Sequence, residues 1–224
     1  MKKIIIFIAF ILLSFSSFAQ YSAMGVRGGF TVGVQNWSGT QRQPMFSYHA
    51  DFAYEKFNSD KFSYLVNVGY HSRGSAYRFN NTDPQTGNRI NIVQRDIFDN
   101  IVLMLGAKNT INSNLSKGDV YYFLGVRVEY TLNDSIQTRA NLSRFVNEIN
   151  YGITAGGGYQ VKVSDKAQVY FDVSFSPDFS NQLFSPSGTY PTKVGGNTYI
   201  QSFSEEKVRN LTIELSVGIK FLRY

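Results

Sequence analysis

From residue 24 onward the chain is written in twos. Segment after segment, every second residue is apolar and those between are small, polar or charged, with no convincing helical spacing. Alternation of this kind gives a strand one greasy face and one polar face. Met24, Val26, Phe30, Val32 and Val34 oppose Gly25, Arg27, Gly29, Thr31 and Gly33. Phe46, Tyr48, Ala50, Phe52 and Tyr54 oppose Ser47, His49, Asp51, Ala53 and Glu55, and Phe62, Tyr64, Val66, Val68 and Tyr70 oppose Ser63, Asn67, Gly69 and His71. Residues 97–108 are less regular, because Ile101 to Leu105 is continuously apolar and leaves the phase open. The pattern returns at Val120 to Tyr130, Tyr151 to Tyr159, Val169 to Phe175 and Leu211 to Phe221, which completes eight strands.

Connections alternate in length. Tight turns fall near 58–60, 112–118 and 163–165, and longer polar loops near 35–44, 72–96, 133–149 and 176–207. Short turns at one end and long loops at the other mark an outer-membrane barrel, with the long loops outside. Proline has no donor for a closed ladder, and Pro44, Pro84, Pro177, Pro186 and Pro191 all fall in the long loops. A soluble lipocalin-type barrel would turn the greasy faces inward. Strands of ~10–12 residues fit a bilayer crossing, which takes ~9–11, better than the ~5–6 typical of soluble sheets. The expectation is therefore an all-β, eight-stranded antiparallel up-and-down transmembrane β-barrel in the cell outer membrane.

The leading residues read as an export signal. Lys2 and Lys3 precede a short apolar run, Ile4 to Leu13, and Ser17-Phe18-Ala19 is a small-x-small cleavage site. Residues 1–19 are thus expected to be a signal peptide and residues 20–224 the barrel. Without cysteine, no lipid anchor, disulfide framework or thiolate chemistry is available. The net charge of +6 includes Lys2 and Lys3, so the remainder carries +4, spread without a basic block. Nucleic acid is not an expected partner. The abundance of 15 Tyr, 19 Phe and 19 Gly suits strands with aromatic girdles.

The mature chain resembles the outer-membrane β-barrel domain common in Bacteroidota, often labelled PorT-like. The resemblance lies in GVRGGF (25–30), VGYHSRGSAY (68–77), LTIELSVGIKF (211–221) and the leader ending Phe18-Ala19-Gln20. It implies a location more than a mechanism, since some members assist secretion or assembly. Asp134-Ser135-Ile136 is similar to the acceptor used for O-glycosylation in Bacteroidota.

Few residues suggest chemistry. The glycine runs GVRGGF and ITAGGGY lie in strands and lack a Walker lysine, so close wall packing explains them better than phosphate binding. His49 and His71 fall on the polar faces of adjacent strands. A tight turn between those strands places the rings side by side near the outer rim, with Asp51 one step below. Such a cluster could take a transition metal or act as acid and base, but a third ligand or a nucleophile is missing, and an ordinary lumen network accounts for it better. No cofactor and no metal are expected. Arg27, Asp51, Glu55, Arg127, Glu129, Asp172, Glu214 and Lys220 nearly balance in sign, which suits a plugged interior. Setting residue 22 beside residue 221 at the rim brings Arg27 opposite Glu214 across the first and last strands. Function is expected to be non-enzymatic, the barrel presenting extracellular loops or supporting envelope assembly or secretion machinery. The expected partners are outer-membrane lipid, lipopolysaccharide and envelope proteins. The alternative is a lipid-modifying enzyme with a histidine site in the lumen or at the rim.

Overall fold

In the computed structural model, residues 21–38, 41–82, 87–112, 118–138, 140–194 and 197–223 are described; the expected leader lies outside them. The strands are β1 (Ser22–Trp37), β2 (Gln43–Phe57), β3 (Phe62–Thr82), β4 (Arg89–Asn112), β5 (Gly118–Ile136), β6 (Ile149–Ser164), β7 (Ala167–Pro177), β8 (Leu183–Ser185), β9 (Gly188–Val194), β10 (Asn197–Phe203) and β11 (Glu206–Arg223). From β1 to β7 each long strand pairs antiparallel with the next. β11 then pairs with β7 on one edge and with β1 on the other. Eight long strands thus close on themselves, leaving no open edge within the ring. β9 and β10 form a separate two-stranded ribbon, and Ala140–Phe145 is a short 3-10 helix.

The ring turns its greasy face outward. Along β5, Tyr122, Leu124, Val126, Val128, Tyr130 and Leu132 are exposed, while Tyr121, Phe123, Arg127, Glu129 and Thr131 are buried. β11 repeats this, with Leu211, Ile213, Leu215, Val217 and Phe221 outside and Thr212, Glu214, Ser216 and Lys220 inside. From Tyr122 to Tyr130 is eight residues, about 27 Å along a strand and ~21 Å along the barrel axis at a tilt of ~40°. An apolar band of that height belongs in hydrocarbon, where backbone polar groups need the closed ladder.

The ambiguous segment resolves by the same rule. Ile101, Leu103 and Leu105 face out, whereas Val102 and Met104 are buried within the ring. Met104 packs with Tyr121, Phe123 and Tyr170 in an apolar layer of the lumen, which is why periodicity fails there. The glycines make room for that layer. A methyl group on Gly158 would lie 2.7 Å from the Tyr121 hydroxyl, and one on Gly218 would lie 2.4 Å from the Tyr170 ring.

Three expectations need correction. The 72–96 loop is largely ladder: β3 and β4 pair without a register shift from Phe62 opposite Asn109 to Thr82 opposite Arg89. Alternation continues there with its phase reversed: beyond the bilayer Tyr77, Phe79, Ile90 and Ile92 lie on the face that is turned inward in the ring, toward the mouth where Arg42 covers Tyr77. The 176–207 loop likewise holds β8 and the β9–β10 ribbon. Prolines therefore enter strands: in the ring only at the margins, where Pro44 is second in β2 and Pro177 ends β7, and outside it at Pro191, the middle residue of β9 in the two-stranded ribbon. The seam is also shifted. Ser22 stands opposite Arg223, so Gly218 faces Arg27 and Thr31 faces Glu214. β11 reaches two residues farther along β1 than the rim estimate allowed.

Candidate functional site

The lumen is filled in layers, each assembled from inward positions at one height of several strands. At the short-turn end, Glu55 on β2 accepts from Lys220 Nζ at 2.6 Å, Lys108 Nζ at 3.2 Å and Ser63 Oγ at 2.6 Å. Both ammonium groups also donate to Gln160 Oε1, at 2.7 and 3.0 Å. Above them comes the apolar layer of Met104, Tyr121, Phe123 and Tyr170. A cavity of about 40 Å³ lies between the two layers, bordered by Asn67, Lys108 and Tyr121 among others. That is room for a few waters only.

The expected cluster is at the next level, and the structure brings its members together. His49 faces His71 directly across β2 and β3, with stacked rings 5.3 Å apart. Asp51 Oδ1 lies 2.7 Å from His71 Nε2, and Glu214 Oε1 lies 2.8 Å from His71 Nδ1. A neutral imidazole has one N–H and could donate to only one of these carboxylates, whereas a doubly protonated ring serves both. His49 meets Thr31 Oγ1 at 3.0 Å and Ser216 Oγ at 2.9 Å. The cluster occupies the middle of β2 and β3 instead of the outer rim, because both strands extend well beyond it.

Arg27 and Glu214 share this level but are not the pair expected. Arg27 Nε donates to Asp51 Oδ2 at 2.7 Å and Nη1 to Asp172 Oδ1 at 3.4 Å. Glu214 instead takes His71 and, at 3.4 Å, Arg73 Nη2. The seam shift accounts for the exchange. Higher still, Arg73 binds Glu129, and Arg127 binds Asp178. Arg73 and Glu129 are wholly inaccessible to solvent.

Toward the long-loop end, Gln35, Asn210, Gln182, Thr131 and Asn100 form a neutral hydrogen-bonded layer. Trp37, Phe98, Ile136, Leu142, Leu183 and Val208 close the mouth as an apolar cap. Arg42 lies on that cap, its guanidinium 3.9 Å from the Trp37 ring centroid and 2.8 Å from Asp96. Ser135 of the Asp-Ser-Ile triplet is exposed beside it, while Ile136 is buried in the cap.

The chemistry open to this arrangement is narrow. Every ring nitrogen of His49 and His71 already meets a hydrogen-bonding group, and the four do not converge on one point. Among the described residues, no group of three or more His, Asp or Glu is disposed to hold a metal ion. The Ser216–His49 contact has the form of a nucleophile and base, yet both side chains are buried between the two apolar layers. Paired buried charges in such a site hold the strands in register and avoid stranded charge. Sequence reasoning missed Arg73, Lys108, Asp178 and the Arg42–Asp96 lid. Arg73 was legible, since it lies two residues beyond His71 and shares its face; Asp178 and Arg42 lie outside any alternating run.

No protein-family model matches the chain, and no curated protein matches it in sequence. Its fold does match solved outer-membrane proteins. OprG from Pseudomonas aeruginosa superposes with a TM-score of 0.52 at 11% identity, over 89% of this chain and 96% of that one. Neisserial surface protein A gives 0.49 at 9% identity over 91% and 97%, and Ail of Yersinia pestis gives 0.40 at 10% over 90% and 99%. At 11% identity the likeness to OprG is one of fold. With the outward apolar band, it makes this chain a small outer-membrane β-barrel.

Proposed function

We propose that this protein is a non-enzymatic outer-membrane barrel whose lumen serves as a rigid scaffold and whose work is done by the structures beyond its long-loop end. In this reading the β3–β4 hairpin and the β9–β10 ribbon are presented outside the cell, to surface ligands or to envelope assembly and secretion machinery. The observation that carries it is the filled interior: charged, neutral and apolar layers occupy the lumen in turn, with Arg73 and Glu129 fully buried at its centre. A conducting pore or a substrate-binding cavity would need the space these side chains take. Building ordered ribbons well past the bilayer, by contrast, is more than closure of a barrel requires. A lipid-modifying site at His49 is the weaker reading, since a substrate has no way to reach Ser216 without opening the cap. Kinship with PorT-like barrels of Bacteroidota belongs to the same proposal and rests on the sequence stretches alone.

Two measurements test it together. An Asn81→Cys variant should react with a membrane-impermeant thiol reagent in intact cells, whereas Ser59→Cys should not. Affinity purification after mild cross-linking should recover defined surface or envelope partners, lost when the hairpin is cut back to residue 76 and rejoined at residue 95. Reversed labelling, or unchanged partners after truncation, would refute the reading.

A further inference from the structure

The β3–β4 ladder holds one register from the turn end to its tip, so residues that share a face within the membrane share it above. On β3 the lipid-facing positions are even, as in Tyr64 and Val68; on β4 they are odd, as in Ile101 and Leu103. Carried upward, that face bears Arg78, Asn80 and Thr82 on one strand and Arg95, Val93, Asn91 and Arg89 on the other. All seven are exposed. The opposite face carries Tyr77, Phe79, Ile90 and Ile92, and it leans toward the barrel mouth, where Arg42 spans the rings of Tyr77 and Trp37. Between Val68 and Arg78 the same face is covered at Ser72, Gly74 and Ala76; beyond Ala76 it opens again as the arginine face, on the side away from Arg42 and the cap.

No ion pair joins Arg78, Arg89 or Arg95 to an acidic group among the described residues. Asp99 shares the face lower down, two residues above Ile101, which stands level with Tyr70 and with Tyr130 at the upper end of the apolar band. Arg95 stands six residues above Tyr70 in the ladder, about 20 Å along the strand and ~15 Å along the normal at a tilt of ~40°. Arg78 lies two residues farther. That height falls in the headgroup and inner sugar layer of the outer leaflet, where the anions are phosphates. Guanidinium is suited to them, being always charged and able to bind two phosphate oxygens at once.

We propose that the outer face of the β3–β4 hairpin is a docking surface for lipopolysaccharide, with Arg95 and Arg78 on the phosphates of its lipid A and inner core and Arg89 at the tip. This deepens the proposed function and rests on it, naming the partner of one ribbon.

The test uses the full chain in nanodiscs free of lipopolysaccharide, titrated with fluorescently labelled rough lipopolysaccharide. Arg78→Gln/Arg89→Gln/Arg95→Gln should bind at least tenfold more weakly than the parent, with its heat-modifiable electrophoretic shift retained. Lipopolysaccharide dephosphorylated with hydrofluoric acid should bind the parent as weakly as the intact lipid binds the variant. Inorganic phosphate at millimolar concentration should not displace the lipid. Equal affinity of parent and variant, indifference to dephosphorylation, or displacement by free phosphate would each overturn the assignment. If Asn81→Cys, on the opposite face of the tip, fails to label in intact cells, the proposed function falls as well. If it labels while the affinities are equal, only the lipopolysaccharide assignment falls.

Discussion

Arg27 and Asp51 stand directly opposite each other on β1 and β2, and the guanidinium Nε donates to the carboxylate at 2.7 Å inside the ring. Both are buried, and each has one further charged neighbour, Asp51 in His71 and Arg27 in Asp172. Removing one partner of such a pair costs about 3–5 kcal/mol, more than removing both. Arg27→Met alone should therefore lower the urea midpoint in lipid vesicles more than Arg27→Met with Asp51→Leu. A double variant less stable than the single one would show that Asp51 is held chiefly by His71.

The lipid-facing assignment predicts a gradient with depth. Val126 lies midway along the exposed run of β5, and Arg there should cost about 2–4 kcal/mol. Leu211 lies at the upper end of the exposed run of β11, opposite Pro177, and Arg there should cost roughly 0–1 kcal/mol. Equal costs in vesicle unfolding would place the band wrongly on the barrel.

The all-β class, the eight crossings and their inner and outer faces were legible because a bilayer imposes strict two-residue segregation. The His49–His71–Asp51 grouping was legible for the same reason, since parity and a tight turn fix which residues meet across β2 and β3. Three things were hidden. The seam register depends on how far β11 overlaps β1, and nothing local sets that overlap when the strands are joined through the rest of the chain. The β3–β4 ribbon above the membrane reverses the phase of its alternation, its apolar residues turning toward the mouth, so it does not continue the pattern of the strands below. The phase of 101–105 was obscured because the lumen has an apolar layer of its own.

Packing at the seam offers a sharper test. The nearest atoms to a methyl group on Gly218 would be the ring and hydroxyl of Tyr170, at 2.4 and 2.6 Å, and Arg27 Cβ at 2.8 Å. Gly218→Ala should cost about 1–3 kcal/mol through overpacking. Because the obstruction comes from side chains, Tyr170→Leu should recover much of that loss, and a double-mutant cycle should report coupling. Additive effects would mean that Tyr170 does not lean on Gly218.

The mouth cap is expected to stabilise without gating. Trp37 is buried among Phe98, Leu183 and Val208, so Trp37→Ala should cost about 3–5 kcal/mol. The charged layers below remain in place, and planar bilayers holding the variant should stay as tight as those with the parent. Stepwise conductance in the variant alone would make the cap a gate.

The central claim is a closed ring sealed by β1 and β11 in the observed register, and oxidative cross-linking reads it directly. Val26 stands opposite Ile219 on the lipid-facing surface, whereas Leu215 lies opposite Phe30. Val26→Cys with Ile219→Cys should cross-link intramolecularly in the folded barrel with copper phenanthroline or a short bifunctional thiol reagent. Val26→Cys with Leu215→Cys should not. Cross-linking of the second pair, or of neither while the protein remains folded, would contradict the register and the sealed lumen built on it.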